Sequence, residues 1–128
     1  MEDEPGCVQK DDALSILQRM MDADVVVYAS PLYFHGYSSQ IKALIDRQYC
    51  LKKSNQSLLA GKRIAQLITC NGPVENNADL IQESFDRIND YLQCQLVGKY
   101  ALPKCKVTDT LDSRALEVAK SMAQDICN

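Results

Sequence analysis

Short apolar runs rich in β-branched residues alternate along this chain with stretches of helical periodicity, and this alternation constrains the fold more than any other feature. Residues 25–29 form one such run, with three successive valines and no charged residue. A run of this kind is typical of a strand buried on both faces of a parallel sheet. Residues 64–69 and 96–102 are the other two candidate strands, and a proline follows each of the three runs closely. Proline ends a strand because it cannot donate to the ladder.

Four further stretches carry apolar residues at the spacing of an α-helix. The first helix is predicted to run from Asp11, a candidate cap, to about Ala23. Ser38 or Ser39 can cap the second helix and Asn77 the third, and the fourth helix lies last in the sequence. Their apolar faces consist of Leu14, Leu17, Met20 and Met21; Ile41, Leu44, Ile45 and Tyr49; Leu80, Ile81, Phe85, Ile88 and Leu92; and Ala115, Leu116, Ala119, Met122, Ala123 and Ile126.

The resulting order of helices and strands predicts an α/β fold. Strands that are separated by helices of this length pair in parallel through right-handed crossovers, with helices packed on the sheet. The chain has 128 residues, without a linker-like stretch or an internal repeat. We therefore expect residues 1–128 to form a single domain.

Charge and cysteine usage exclude several classes of function. The net charge is -3 at pH 7 and the Lys and Arg residues form no cluster, so neither nucleic acid nor an anionic membrane is expected as a partner. No apolar run approaches the roughly 18 residues of a membrane-spanning helix, and the acidic start lacks the features of a signal peptide. Six scattered cysteines without a C-x-x-C pair predict free thiols in a reduced, cytoplasmic protein.

Ligands of an open parallel sheet bind outside the carboxyl ends of its strands. Three loops qualify, namely residues 30–37, 70–77 and 103–110. The first reads Ser-Pro-Leu-Tyr-Phe-His-Gly-Tyr and gathers three aromatic residues, in a chain that is only 6% aromatic. Such a loop suits a flat aromatic ligand, with backbone N–H groups for its polar edge. The alternative is that Tyr33 and Phe34 pack into the core.

The segments 23–34 and 40–47 carry a resemblance to a known family. They read Ala-Asp-Val-Val-Val-Tyr-Ala-Ser-Pro-Leu-Tyr-Phe and Gln-Ile-Lys-Ala-Leu-Ile-Asp-Arg, and Gly61-Lys62 stands before the next strand. This chain resembles the NADPH-dependent FMN reductase family, especially its iron–sulfur flavoprotein branch, from about Cys7 to about Pro103. The resemblance implies a flavodoxin-like three-layer α/β/α fold and an enzyme that transfers hydride from NAD(P)H to FMN and then to a small-molecule acceptor.

The same resemblance implies which residues hold the flavin. The loop after the first strand would line the isoalloxazine ring with Ser30, Pro31, Leu32, Tyr33 and Phe34, and the loop after the second strand would contribute Thr69, Cys70, Asn71 and Gly72. Members of the family often have more glycine in the second loop than this chain does. No catalytic side chain is assigned, because the cofactor performs the chemistry.

One part of the family pattern has no counterpart here. Family members begin with a strand and a Gly/Ser/Asn-rich loop that binds the FMN phosphate at a helix N-terminus, and nothing similar precedes Cys7. We therefore expect a truncated sheet with strands 3-4-5 of the 2-1-3-4-5 order, an open edge at residues 25–28, and weak or lost FMN binding. An open apolar edge predicts a homodimer or pairing with a complementary N-terminal fragment.

Two functional readings follow from these observations. The first is an FMN-dependent oxidoreductase, completed by a second chain or a dimer mate. The second is a non-catalytic remnant or interaction module that has lost the flavin. The aromatic loop favours the first reading and the missing phosphate loop the second.

Three other residues or pairs have alternative roles. His35, the only histidine, could donate to a ligand or be an exposed loop residue. Asp46 and Arg47 could be an acid–base pair, but adjacent helical residues point about 100° apart, which favours structural contacts. Cys7 matches the end of the family's cluster motif. Since a cluster takes four thiolates, we expect no iron–sulfur cluster or other metal, and Cys7 would be a relic or a free thiol.

Overall fold

A parallel three-stranded sheet with helices on both faces forms the centre of the molecule. The computed structural model describes residues 8–106 and 112–128. The strands of the sheet are β1 (Val25–Pro31), β4 (Arg63–Thr69) and β5 (Gln95–Leu102), in the order β1-β4-β5 with parallel pairing throughout. The helices are α1 (Ala13–Asp22), α2 (Ser39–Arg47), α3 (Asp79–Leu92) and α4 (Ser113–Cys127). The predicted α/β class and the predicted strand order are confirmed.

A short antiparallel hairpin is the element that sequence analysis missed. It pairs β2 (Lys52–Lys53) with β3 (Gln56–Ser57). Its strands have two residues each, too few for a period-2 pattern to be recognised in the sequence. A 3-10 turn at Gln48–Leu51 connects it to α2.

Three helices share one face of the sheet and enclose the main core. Leu17 of α1, Ile45 of α2 and Phe85 of α3 all pack with the strand residues Tyr28 and Ile64. The rings of Tyr28 and Phe85 meet edge to face with centroids 5.2 Å apart, a favourable aromatic geometry. The three helices therefore pack against β1 and β4 on this face of the sheet.

Helix α4 is the only described helix on the opposite face, and polar contacts at its C-terminal end help to anchor it. The Tyr100 hydroxyl lies 2.6 Å from the Asp125 carboxylate, and the Arg63 guanidinium donates to the Asp125 backbone carbonyl at 3.0 Å. No residue of α4 is fully buried. The second layer of helices is therefore much less complete than the first.

The helix ends differ in part from the predicted caps. The Asp11 carboxylate accepts from the Ala13 backbone N–H at 3.1 Å, so Asp11 does bond the start of α1. Ser38 occupies the cap position of α2, but its side chain makes no capping bond. Asn77 lies outside α3, and its side-chain amide donates to the Pro73 carbonyl instead. The predicted cap position at Ser38 is therefore found without its side-chain bond, whereas the predicted cap at Asn77 is wrong, because Ala78 occupies that position and the Asn77 amide bonds the preceding loop.

Strand β1 lies at an edge of the sheet in the described part of the chain. Tyr28 and Ser30 are buried on the side of the three helices, whereas Ala29 is exposed and Val27 is 38% exposed on the other side. The expected burial on both faces is therefore found on one face only. Within residues 8–106 and 112–128, no helix has the length and apolar character needed to span a bilayer.

Candidate functional site

The carboxyl ends of the three parallel strands bring the candidate loops together. Pro31, Thr69 and Leu102 lie side by side in register at the ends of β1, β4 and β5. The Leu32 N–H donates to the Thr69 carbonyl at 2.8 Å, and the Cys70 N–H donates to the Leu102 carbonyl at 3.0 Å. The two loops assigned to the flavin by resemblance are therefore neighbours.

The first loop ends in a tight turn that presents aromatic side chains to solvent. Tyr33 and Gly36 exchange both backbone hydrogen bonds at 3.0 Å. Between them Phe34 and His35 adopt positive φ angles of 47° and 62°, a left-handed conformation that costs energy for residues other than glycine. Phe34 is fully exposed and Tyr33 is 62% exposed. The alternative that these two rings pack into the core is wrong.

The other residues of the first loop hold the turn in place. Ser30 is buried, and its hydroxyl donates to the Pro31 carbonyl at 2.8 Å while accepting from the Ser38 N–H at 3.0 Å. Leu32 packs on the small core cluster around Ile68. Ser30 and Leu32 thus position the loop, whereas Tyr33 and Phe34 form its exposed surface.

Tyr37 supports the loop from below, a contact that sequence analysis did not predict. Its hydroxyl accepts from the side-chain amide of Gln66, a fully buried residue in the middle of β4. Burial raises the pKa of Tyr37 to about 12, so the hydroxyl keeps its proton. The aromatic clustering of residues 33–37 was the available signal, but the partner on β4 is distant in sequence.

The second loop turns sharply at Gly72 against Asn77. A Cβ atom at Gly72 would lie 2.9 Å from the Asn77 side-chain nitrogen, so glycine permits this close approach. Cys70 is buried and its thiol donates to the Gly72 carbonyl at 3.4 Å. Burial raises the pKa of Cys70, with a smaller contribution from Cys105. The Cys70 thiol is therefore protonated at neutral pH and serves as a packing group.

Hydrogen bonds connect all three loops across the carboxyl edge. The His35 ring nitrogen Nδ1 lies 3.2 Å from the Asn77 carbonyl oxygen, which joins the first loop to the second. The Lys104 N–H reaches the Gly72 carbonyl at 3.4 Å, and the Cys105 N–H donates to the Cys70 carbonyl at 2.9 Å. His35 is exposed, as expected for a loop residue, and its ring also contacts the Asn77 carbonyl. The third loop is described as far as residue 106.

Several backbone donors remain available at this edge. In the described residues, the N–H groups of Phe34, His35, Asn71 and Gly72 have no protein acceptor. They lie on the two neighbouring loops, beside the exposed rings of Tyr33 and Phe34. Exposed aromatic surface and unused N–H donors on neighbouring loops are groups that a planar, polar-edged ligand can use. The residues present therefore fit the ring of a flavin.

Asp46 and Arg47 do not form a shared site. Lys42 pairs with Asp46 at 2.5 Å, and Arg47 pairs with Asp11 at 2.7 Å. Both side chains thus make structural ion pairs, as their adjacent positions on a helix favoured.

The cysteines of the described ranges are free thiols, namely Cys50, Cys70, Cys94, Cys105 and Cys127. Burial raises the pKa of Cys94 to about 11, which keeps it protonated. The described residues contain no group of three or more side chains able to hold a metal ion. Cys7, considered above as a relic or free thiol, lies outside the described residues.

Comparison with known proteins gives one family match and two groups of similar proteins. The sequence profile of the family described as NADPH-dependent FMN reductase matches residues 1–107. An iron–sulfur flavoprotein of Methanosarcina thermophila is 39% identical over 56 residues, which cover 44% of this chain and 29% of that protein. One from Methanocaldococcus jannaschii is 42% identical over 50 residues, covering 39% and 26%. The chain thus spans less than a third of these two relatives.

Solved structures share the fold over nearly the whole chain. The Trp repressor binding protein of Bacillus subtilis superimposes with a TM-score of 0.68 at 16% identity, covering 91% of this chain and 69% of that chain. General stress protein 14 of Treponema denticola, in complex with FMN, has a TM-score of 0.65 at 16% identity and covers 92% and 71%. These likenesses confirm the flavodoxin-like architecture inferred from the sequence.

Proposed function

The chain belongs to the NADPH-dependent FMN reductase family, and from this premise we propose that it holds the isoalloxazine ring of FMN at the carboxyl edge of its sheet. The proposed activity is that of a cytoplasmic oxidoreductase, in which NAD(P)H reduces the flavin and a small-molecule acceptor reoxidises it. When bound, FMN supplies the hydride and electron chemistry.

The observation that carries the proposal is the pairing of exposed aromatic rings with unused backbone donors. Tyr33 and Phe34 offer stacking surface, and the N–H groups of Asn71 and Gly72 stand on the adjoining loop without protein acceptors among the described residues. An exposed Phe34 in a left-handed conformation gains nothing for folding. A strained, fully exposed aromatic residue is typical of a binding site.

Each part of the chain has a separate task in this proposal. Ser30 and Tyr37 hold the first loop rigid through their hydrogen bonds, which lowers the entropy lost on binding. Gly72 lets the second loop turn close to Asn77. The two loops thereby orient the ring, and the proposal assigns no described side chain as an acid or base.

Binding of the FMN phosphate is the weak part of the proposed site. The lysines of the three loops, as far as they are described, are Lys104 and Lys106, both in the third loop. A phosphate site built at a helix N-terminus offers several backbone donors together. We propose that a second polypeptide segment provides such donors, and that the chain without it binds FMN mainly through the ring.

A competing proposal is an interaction module that no longer uses flavin. The exposed edge and face of β1 favour it, since they form an association surface whether or not a flavin binds. Flavin binding by the chain distinguishes the two proposals.

A flavin titration with a matched control tests the first proposal. Phe34→Ala removes an exposed ring from the loop, and Tyr49→Ala removes a ring that is 76% exposed near the C-terminal end of α2. We expect Phe34→Ala to raise the Kd for FMN about tenfold, since a stacked aromatic pair contributes about 1 kcal/mol or more. Tyr49→Ala should leave the Kd unchanged. Flavin fluorescence measures both.

Two outcomes would contradict this proposal. Wild-type chain that binds no flavin at millimolar concentration excludes a ring site on the chain and favours the interaction module. Equal effects of Phe34→Ala and Tyr49→Ala would place any flavin elsewhere. If the ring binds as proposed, oxidation of NADH or NADPH by the FMN-loaded protein, followed at 340 nm, is the further test of the activity.

A further inference from the structure

A small pocket lies at the end of the molecule opposite the flavin loops. Helices α2 and α3 both start near the carboxyl edge of the sheet, so their C-terminal ends lie at its amino edge. Residues of these two ends line a cavity of about 240 Å³. Strand β1 has seven residues at about 3.3 Å each, which places the pocket about 20 Å from the flavin loops. It is therefore separate from the site proposed above.

Two tyrosine rings form part of the pocket lining. Tyr49 follows α2 on the 3-10 turn and is 76% exposed, whereas Tyr91 lies in the last turn of α3 and is 41% exposed. The two rings are nearly parallel, with 15° between their planes and 6.4 Å between their centroids. The buried side chains of Ile45 and Leu92 line the pocket as well. Flat aromatic surface beside apolar side chains suits a planar aromatic ligand.

A cation stands beside the tyrosine pair. The Lys52 ammonium lies 4.1 Å from the centroid of the Tyr91 ring, in a cation–π contact. Lys52 forms no ion pair with a carboxylate of residues 8–106 or 112–128. Asp46, the carboxylate in the pocket lining, is already paired with Lys42 at 2.5 Å. Of these three charges, only that of Lys52 lacks a counter-ion.

Gln48 adds a buried hydrogen-bond donor to the lining. It is 2% exposed, and its Oε1 accepts from the Tyr28 hydroxyl at 3.2 Å. Its Nε2 has no acceptor among the described residues, and a buried donor without an acceptor is costly. Since Nε2 is covered in this structure, an acceptor reaches it after a neighbouring side chain turns aside. The exposed ring of Tyr49, the next residue, can do so by a change of rotamer.

The volume of the pocket limits the size of its ligand. A cavity of about 150 Å³ holds one benzene ring, so 240 Å³ has space for one or two fused rings and a small substituent. The three-ring isoalloxazine of FMN is too large for it. The polar groups that such a ligand meets, the Lys52 ammonium and the Gln48 amide nitrogen, are both donors. A substituent with a negative charge and acceptor oxygens matches both of them.

We propose that the pocket between the C-terminal ends of α2 and α3 binds a small aromatic carboxylate of one or two rings. The ring stacks on Tyr49 and Tyr91. The carboxylate accepts from the Lys52 ammonium and from Gln48 Nε2, so one group supplies both the missing counter-ion and the missing acceptor. An uncharged ring supplies no counter-ion, and a cationic ring would be repelled by Lys52. This site does not depend on the binding of a flavin.

The helix ends at this pocket are compatible with an anion. The partial negative charge of a helix C-terminus resides mainly in its unbonded carbonyl groups. At the end of α3, Gln93 adopts a left-handed conformation and its N–H donates to the Asp90 carbonyl at 3.2 Å, while the Cys94 N–H donates to the Asn89 carbonyl at 3.1 Å. Helix α2 carries Arg47 in its last turn, which offsets the charge of that end.

A titration of the full chain with three related compounds tests the ligand class. The chain contains no tryptophan, so the fluorescence of 2-naphthoate can report its binding. We expect saturable binding of 2-naphthoate, about tenfold tighter than that of the uncharged 2-naphthamide, because a charge-assisted hydrogen bond is stronger than a neutral one. Calorimetry measures the amide and cyclohexanecarboxylate. The latter keeps the charge without an aromatic ring and should bind more weakly than 2-naphthoate.

A charge-removing variant and a matched control test the residues. Lys52→Met keeps an unbranched side chain of similar length and removes the charge. We expect it to raise the Kd of 2-naphthoate about tenfold and to leave the Kd of 2-naphthamide unchanged, which a purely structural role of Lys52 would not do. Tyr91→Leu should weaken both compounds. Leu80→Ala, at an exposed position near the start of α3, should weaken neither. Equal melting temperatures of the variants would show that all of them fold.

Three outcomes would overturn the proposal. The first is the absence of saturable 2-naphthoate binding at millimolar concentration. The second is equal affinity for the carboxylate and the amide, or equal effects of Lys52→Met and Leu80→Ala. The third is displacement of 2-naphthoate by FMN, which would assign the ligand to the flavin loops. A chain that binds 2-naphthoate but no flavin would contradict the proposed function alone, so the two proposals fail separately.

Discussion

At the scale of single residues, the turn at Phe34 and His35 departs most clearly from what folding alone would favour. Both residues have positive φ angles, and Phe34 is fully exposed. Asn-Gly or a similar pair is the common choice for such a turn. The chain instead keeps a large aromatic ring in a strained position, beside the unused donors of the second loop. This choice is understandable if the ring has a ligand.

Replacing Phe34 with glycine should separate stability from binding. Glycine relieves the left-handed strain and Phe34 makes no buried contact, so we expect the free energy of unfolding to rise by about 0.5–1 kcal/mol. Flavin affinity should fall at the same time. Urea unfolding and flavin fluorescence give the two values. The control Phe34→Ala should lose affinity without gaining stability, and a loss of stability in Phe34→Gly would argue against strain at this position.

At the scale of secondary-structure elements, Asp11 joins α1 to α2. Its carboxylate accepts from the Ala13 N–H at the start of α1 and pairs with Arg47 at the end of α2 at 2.7 Å. The hydrogen bond from Arg47 is the main cause that holds the pKa of Asp11 below its usual value. Lys62 binds the other end of α1, where its ammonium donates to the Met21 carbonyl at 2.8 Å. Both ends of α1 are thus secured by residues far away in sequence.

The lowered pKa of Asp11 predicts a pH-dependent contribution to stability. A carboxyl group with a lower pKa in the folded state stabilises the fold above its unfolded pKa, and this contribution is lost as the pH falls through the folded value. Asp11→Asn should therefore be less stable than wild type at pH 7, with the difference disappearing in the acid range below about pH 4. Urea midpoints at a series of pH values measure this. A difference independent of pH would show that charge is not its origin.

At the scale of the whole molecule, the two faces of the sheet are unequally covered. Three helices enclose one face, and among the described helices only α4 covers part of the other. The proposed flavin loops lie at the carboxyl edge between these two layers, next to the uncovered part.

A comparison of FMN with riboflavin tests how the phosphate is bound. The two ligands share the isoalloxazine ring and differ in the phosphate. Each charge-assisted hydrogen bond to the phosphate would contribute about 1.5–3 kcal/mol. In the proposal the isolated chain makes few of these bonds, so we expect its Kd values for FMN and riboflavin to lie within about threefold of each other. When the second polypeptide segment that supplies the phosphate donors is present, the protein should bind FMN much more tightly than riboflavin. A strong preference of the isolated chain for FMN would show that its own residues hold the phosphate.

Local sequence determined the three strands of the main sheet and the four α-helices, although not the short hairpin of β2 and β3. The β-branched runs became β1, β4 and β5, and each helical periodicity became a helix, because backbone preference and apolar spacing act within about ten residues. The adjacency of the loops after β1 and β4 was also predictable, since parallel strands end at the same edge. The roles of their individual residues as flavin ligands remain predictions.

Only the tertiary structure decided which of these residues are available. Asn77 was a candidate cap in the sequence, but its side-chain amide donates to the Pro73 carbonyl of the preceding loop. Ser38 does occupy the cap position of α2, and its backbone N–H donates to the Ser30 hydroxyl. Tyr33 and Phe34 read equally well as core or as ligand contacts, and their turn exposes both. Val27 belongs to a run typical of a fully buried strand, yet it is 38% exposed. Burial depends on which segments meet in space, and local periodicity does not determine that.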